Sequence, residues 1–399
     1  MLPYMERARN LLANDGVEFV VVTSPINVRY FSQYRPGIQG IVGWWNAPKI
    51  VLLPISKDMK PVLIDNVMDS WDIARARDKL CEPRFYGRFV MEFGDKLDAD
   101  MKQFKTVYEQ SLANPRDAYQ IFDDFVASWD GQTGPLTVGV EDYHLPSRAR
   151  DRLREKHPSL NLKNVDETLR KVRMVKTDDE VEMIRKSSAI NVKGFRAAAG
   201  EIRPGAKESI LAEAYLQEIS KYDAHPCFVM INAGPRSAAL FPSYDKSYRI
   251  KKGDTVRIDV GCEYNGYCSD VSRTITVGKV SEEKKRIVTA TTKGYVETIK
   301  ILKPSLPIRK VFDHAVSTVQ AAGIPRYRRT NVGHGIGLET HELPDLVPSS
   351  TDALEENMVI NIETPYYSFG IGGFSCEDTV RITKDSCKLL THLERIVRA

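Results

Sequence analysis

Ile258-Asp259-Val260-Gly261-Cys262-Glu263-Tyr264-Asn265-Gly266-Tyr267-Cys268-Ser269-Asp270 is the stretch from which the rest of this chain can be read. Asn265-Gly266 between β-compatible flanks is a strong hairpin signal, because a type I′ turn needs positive φ at both central residues. That turn sets Tyr264 opposite Tyr267 and Gly261 opposite Asp270. Asp259, two residues before Gly261, shares its face and lies one diagonal step from Asp270. Gly261 leaves a gap between the two carboxylates. Like charges this close need a cation, or one of them must hold a proton. Two aspartates flanking an exposed turn would look similar, but this segment is too apolar for a solvated surface.

Further donors follow downstream: His334 in Gly333-His334-Gly335-Ile336-Gly337, Glu363 in Asn361-Ile362-Glu363-Thr364-Pro365, and Glu377 in Cys376-Glu377-Asp378-Thr379. Asp259, Asp270, His334, Glu363 and Glu377 together suit two divalent metals sharing carboxylates. An oxygen-rich set with one imidazole favours manganese, or iron, cobalt or zinc, over copper, magnesium or calcium.

The chain has 399 residues, 42% hydrophobic and 28% charged, with a net charge of +4. That describes two ordinary globular domains and gives no reason to expect nucleic acid as a partner. No apolar run is long enough to span a bilayer, and the first residues lack a signal-peptide pattern, so no membrane association is expected. Six scattered cysteines without CxxC read as reduced thiols in a cytoplasmic protein. Cys262 and Cys268 could in principle approach each other across the hairpin.

Before the hairpin, helix and strand patterns alternate. A helix is expected over 5–15, and strands over 18–23, 49–54, 61–65 and 136–141. Charged helices are expected near 67–80, 95–127 and 146–157, and residues 24–31 read as a turn leading into an aromatic segment. An α/β first domain over 1–165 and a second domain over 166–399 follow. Arg35, Trp44 and Trp45 are candidate substrate-binding residues on an aromatic loop. Thr177 or Asp178 caps a helix that opens with acidic residues. Ile202-Arg203-Pro204-Gly205 and Leu302-Lys303-Pro304-Ser305, one hundred residues apart, each precede a helix. They suggest two α-α-β halves around a pseudo-twofold axis, with Asp259 and Asp270 in one half and Glu363 and Glu377 in the other.

The ordered set Asp259, Asp270, His334, Glu363, Glu377 resembles the pita-bread metallopeptidase family, which includes methionine aminopeptidase, aminopeptidase P, prolidase and the metal-free creatinase. Residues 179–390 resemble its catalytic domain. Residues 1–165, with Asn27-Val28-Arg29-Tyr30, resemble the N-terminal domain of the creatinase, prolidase and aminopeptidase P branch. The resemblance implies an α+β pita-bread catalytic domain and two metals about 3.5 Å apart. It also implies a bridging hydroxide that attacks an amide carbonyl, with Glu363 as ligand and base. His341 matches a histidine that contacts the scissile carbonyl, which makes it catalytic and substrate-binding. The implied activity is that of an Xaa-Pro dipeptidase or aminopeptidase, in a homodimer whose partner N-terminal domain closes the active-site mouth.

Two departures stand out. Family peptidases usually carry a further histidine near position 242, where this chain has Ala239-Leu240-Phe241-Pro242-Ser243-Tyr244-Asp245. Prolidases and aminopeptidases P tend to carry arginine two residues before the last glutamate, where this chain has Ser375. Both losses lie outside the five ligands and open an alternative: a small-molecule C–N hydrolase or a metal-dependent lyase using the same site. His225 upstream could replace the histidine, although its neighbours read as ordinary packing.

Overall fold

The structure is a computed structural model that describes residues 3–34, 37, 48–75, 80–113, 115–129, 136–239, 247–394 and 397–398. Arg35, Trp44, Trp45 and Pro242 lie outside the described residues. The chain divides into two compact units, Met1–Val172 and Arg173–Ala399.

The first unit contains, in chain order, α1 (Pro3–Asn14), β1 (Phe19–Val22), α2 (Pro25–Ser32), β2 (Ile50–Pro54), β3 (Val62–Asn66), α3 (Ser70–Arg75), β4 (Glu82–Tyr86), α4 (Ala99–Ala113), α5 (Ala118–Ala127), β5 (Thr137–Val140), α6 (Ser147–Lys156) and β6 (Asn161–Asn164). Helix α7 (Asp166–Met174) crosses the division between the units. The sheet runs β4-β3-β2-β1-β5-β6. Its two edge strands, β4 and β6, escape the sequence pattern because they bury little side chain and so carry no clear apolar alternation. Residues 25–32 are a helix rather than a turn. Ser24 caps it by accepting the Asn27 N–H, and Pro25 sits in the first turn, where no amide is missed.

The second unit has helices α8 (Asp178–Gly200), α9 (Glu208–Ser220), α10 (Glu282–Ile301) and α11 (Ile308–Ala321). Its strands are β7 (His225–Ala233), β8 (Thr255–Tyr264), β9 (Tyr267–Thr276), β10 (Gly333–Gly335), β11 (Glu342–Asp345), β12 (Val359–Glu363), β13 (Tyr366–Ser368), β14 (Gly372–Phe374), β15 (Cys376–Ile382), β16 (Cys387–Leu389) and β17 (Val397–Arg398). Thr177 and Glu180 close a reciprocal capping box at the start of α8. The large sheet runs β11-β10-β12-β15-β9-β8-β7. One face is apolar: Ile258, Val260 and Val271 pack with α8 and α9, while Ile360, Ile362 and Val380 pack with α10 and α11. Strand alternation therefore turns Asp259, Asp270, Glu363 and Glu377 to the face away from these helices.

The hundred-residue echo is physical. Gly205 N–H donates to Ile250 O and Ile250 N–H to Ala206 O; Ser305 N–H donates to Leu354 O and Leu354 N–H to Leu306 O. Gly205 and Ser305 both hold positive φ, 88° and 64°. The close helix contacts repeat as well. A Cβ on Gly194 would meet Ile219 and Tyr215 of α9, and a Cβ on Gly294 would meet Val319 of α11.

A buried polar cluster ties the segment before α8 to the loop that carries His341. Glu342 Oε2 takes Lys176 Nζ at 3.1 Å, and Oε1 faces Arg173 Nε at 3.4 Å. Oε1 also accepts the N–H groups of Leu338 (3.1 Å) and Glu339 (3.3 Å). Burial alone would raise the Glu342 pKa, but Lys176 and Arg173 outweigh it and hold the carboxyl below its ordinary value. This contribution to stability is therefore present above the unfolded-chain carboxyl pKa and is lost as pH falls through the lower folded value.

Two stability predictions follow from these contacts. Glu342→Gln leaves Lys176 and Arg173 buried without their shared carboxylate. It should cost about 3–5 kcal/mol and flatten the acid-side fall of stability, measured as midpoint against pH in denaturant melts. Gly294→Val should cost about 1–3 kcal/mol through overpacking at the α10–α11 contact, read as a lower thermal midpoint.

Candidate metal centre

The hairpin turn is made by Asn265 (φ 47°) and Gly266 (φ 84°). Its register is the one the turn type predicts: Tyr264 faces Tyr267, Gly261 faces Asp270 and Asp259 faces Ser272. The pairing continues across the sheet, with Ser272 facing Glu377 and Glu377 facing Glu363. Glu363, Glu377, Ser272 and Asp259 thus form one rung across four strands. The adjacent rung holds His334 opposite Asn361, Asn361 opposite Thr379, and Asp270 opposite Gly261. Thr379 Oγ1 donates to Asp270 O at 3.3 Å and to Asn361 Oδ1 at 2.8 Å, which joins the two halves of this second rung.

Two close groups of donor atoms result, each with its atoms within 4.8 Å of one another: Asp259, Asp270 and Glu377, and Asp270, His334 and His341. Glu363 stands directly across from Glu377 but belongs to neither close group. His334 Nδ1 donates to Gly335 O at 3.0 Å, which leaves Nε2 facing Glu377 Oε1 (3.6 Å) and Asp270 Oδ2 (3.8 Å). That tautomer offers a lone pair to the carboxylate cluster. The His341 ring stacks on His334, with centroids 3.7 Å apart.

The electrostatics describe an anionic pocket that its neighbouring arginines compensate only in part. Burial, then the neighbouring carboxylates, hold Asp270 well above its ordinary pKa. Asp259 is pushed up to about 6, chiefly by burial and against the pull of Arg257. Glu363 rises to about 7, from burial and the Glu377 carboxylate. Burial lowers His334, but Glu377 and Glu363 outweigh it and raise the imidazole overall. His341 falls to about 4, from burial and the charge of His334. Asp270 Oδ1 is buried with no hydrogen-bond partner among the described residues. A cation supplies what this set lacks: countercharge for crowded carboxylates and a partner for an orphaned oxygen. The donor chemistry, four carboxylates and one imidazole, suits a divalent ion.

Several expectations change. The space above Gly261 is filled rather than open, since a Cβ there would meet Phe228 Cε1 at 2.5 Å. Cys262 faces Ser269 and Cys268 faces Glu263, so alternation sends the two thiols to opposite faces of the sheet. The thiol beside Cys268 is Cys227, with sulfurs 3.5 Å apart, and none of the six cysteines is in a disulfide. His225 is exposed at the start of β7, opposite Glu263, two rungs beyond Asp259 along β8. Sequence reading overlooked Arg257, Arg329 and Tyr367. Arg329 Nη2 lies 4.0 Å from Glu363 Oε1, and both guanidiniums lie over the Tyr367 ring. Arg257 was legible in principle, since strand parity sets it on the face of Asp259. Arg329 and Tyr367 reach the site from irregular chain and a short hairpin, and no local pattern announces them.

Comparison with known proteins agrees with this architecture. Residues 182–384 match the model of metallopeptidase family M24, and residues 5–175 match that of the creatinase/prolidase N-terminal domain. The Xaa-Pro dipeptidase of Pyrococcus horikoshii is 33% identical over 312 residues, covering 77% of this chain and 88% of that protein. The crystal structure of the prolidase from Pyrococcus horikoshii OT3 superposes with a TM-score of 0.77 at 26% identity, covering 99% of each chain. The Xaa-Pro dipeptidase structure from Bacillus anthracis, at 23% identity, shares the fold with a TM-score of 0.80 over 99% of each chain. With its carboxylates and histidine gathered on one face of a sheet backed by two paired-helix halves, the chain belongs to metallopeptidase family M24, in the pita-bread branch with a creatinase/prolidase N-terminal domain, and is a divalent-metal-dependent hydrolase.

Proposed function

We propose that this protein hydrolyses Xaa-Pro dipeptides or closely similar small amides at a two-metal site held by Asp259, Asp270, His334, Glu363 and Glu377. The observation that carries the reading is the pair of adjacent rungs, which brings four carboxylates and one imidazole together around the unpartnered Asp270 Oδ1. Bound there, two divalent ions such as manganese would lower the pKa of a water molecule and polarise a carbonyl. Asp270 takes part in both close donor groups and would help to hold metal bound at either. Glu363, directly across from Glu377, can accept a proton from the attacking water and return one to the leaving nitrogen. His341, held neutral, can hydrogen-bond the substrate carbonyl oxygen without adding a charge that repels the cations. Phe228 and Met230 sit opposite Gly261 and Asp259 and are half-buried, so they offer an apolar wall suited to a proline ring.

The absence of a histidine over residues 239–245 and of an arginine at 375 favours a second reading, a non-peptide C–N hydrolase or lyase with the same ligands. The two separate on substrates. Gly-Pro and Ala-Pro should be cleaved with manganese, lose all turnover with a chelator and regain it on adding metal. Cleavage of small amides or imides with no action on either dipeptide would select the second reading, and an apoprotein that takes up no divalent metal would overturn both.

Glu363→Gln should lower kcat by about 10²–10⁴-fold, measured on the better dipeptide. Protons compete with metal for Asp259 and Glu363, so manganese affinity should tighten as pH rises through 6 to 7, with protons released on binding. Calorimetry in buffers of different ionisation enthalpy reads both effects. A homodimer is the proposed assembly, and a fully active monomer in analytical ultracentrifugation rules it out.

A further inference from the structure

Arg257 stands two residues before Asp259 on β8 and is fully buried (0% exposed). It belongs to a third rung, adjacent to the one holding Asp259, which reads Asn232, Arg257, Thr274 across β7, β8 and β9. Ser375, the residue before β15, lies beside that rung: its N–H donates to Thr274 Oγ1 at 2.7 Å, and Thr274 Oγ1 lies 3.3 Å from Ser375 O. The guanidinium is held on several sides. Nε donates to Ser237 O at 3.1 Å, and Nη2 to Ala239 O at 2.8 Å and to Asn232 Oδ1 at 3.4 Å. Nη1 donates to Asp259 Oδ2 at 3.0 Å, and the planar group lies 5.5 Å from the centre of the Tyr367 ring.

A buried guanidinium needs a countercharge, and the carboxylate that Arg257 bonds is that of a candidate metal ligand. The neutral contacts fix the fork, and the fork fixes Asp259. With Oδ2 engaged, the carboxylate can no longer rotate freely, and it is held within the close group it forms with Asp270 and Glu377. We infer that Arg257 is a positioning residue for the metal site, acting through Asp259. Position 375 lies beside Thr274, the residue paired with Arg257, just ahead of β15. An arginine there would approach Asp259 from the β15 side. This chain supplies the guanidinium from β8 instead, which accounts for Ser375 where prolidases and aminopeptidases P tend to have arginine. The inference rests on Asp259 being a ligand, as proposed above.

The test compares wild type, Arg257→Met, Arg257→Lys and the relocation variant that pairs Arg257→Ser with Ser375→Arg. Each is taken as the full chain, and folding is checked by circular dichroism and thermal midpoint. Manganese alone is titrated into each apoprotein by calorimetry, and kcat and KM are measured on the best substrate. Arg257→Met should weaken manganese binding by about 10–100-fold and lower kcat more than it raises KM. Arg257→Lys, which keeps the charge without the fork, should fall between, and the relocation variant should recover most of the affinity. An Arg257→Met protein that melts lower yet binds manganese as wild type does would make the residue structural and overturn the inference. A relocation variant that recovers the thermal midpoint but not the affinity would overturn the positional exchange. Failure of wild type itself to bind manganese would instead overturn the metal reading on which the inference stands.

Discussion

Electrostatic crowding on one face of a β-sheet is the constraint around which the catalytic unit is arranged. Antiparallel pairing fixes Asp259, Ser272, Glu377 and Glu363 on one rung, with Asp270 and His334 on the next. No side chain has to reach far, because the ladder delivers the groups. The cost appears in the protonation states: burial and crowding hold Asp259, Asp270 and Glu363 above their ordinary values. A fold that keeps such a cluster has either a stored proton or a bound cation in it, and the orphaned Asp270 oxygen favours the cation.

The opposite face of the sheet explains why the cluster is tolerated. Ile258, Val260, Ile360 and Ile362 alternate with the charged positions and bury against two helix pairs. Each pair is drawn close by a glycine one hundred residues from its counterpart, Gly194 and Gly294, and the same hydrogen-bonded proline turn joins its two helices. The apolar face supplies the burial that stabilises the sheet, and the rigid sheet then holds the carboxylates against their mutual repulsion. Chemistry and stability thus reside on alternate residues of the same strands.

Around this centre the chain uses buried charge to set orientation. Arg257 engages Asp259, Arg329 approaches Glu363, and Lys176 with Arg173 holds Glu342 in the loop that brings His341 onto His334. Arg257 and Arg329 each offset part of the charge of one carboxylate of the donor cluster, while Lys176 and Arg173 offset a carboxylate outside it. The cluster keeps its affinity for cations while its edges are fixed.

The local chain alone determined the hairpin, its register and the face shared by Asp259 and Asp270, because a two-residue turn with positive φ admits one pairing and alternation does the rest. The capping box at Thr177 and the echo of two proline turns were equally legible, since each depends on residues within a few positions. Strands β4 and β6 were not, because edge strands carry weak alternation, and α2 was read as a turn although Ser24-Pro25 marks a helix start. Tertiary structure decided which distant groups meet: that Glu377 faces Glu363, that His341 stacks on His334, and that Arg257 and Arg329 share Tyr367. Those pairings depend on strand order across the sheet and on the path of irregular loops, which arise from packing summed over the whole unit and leave no periodic mark in the sequence.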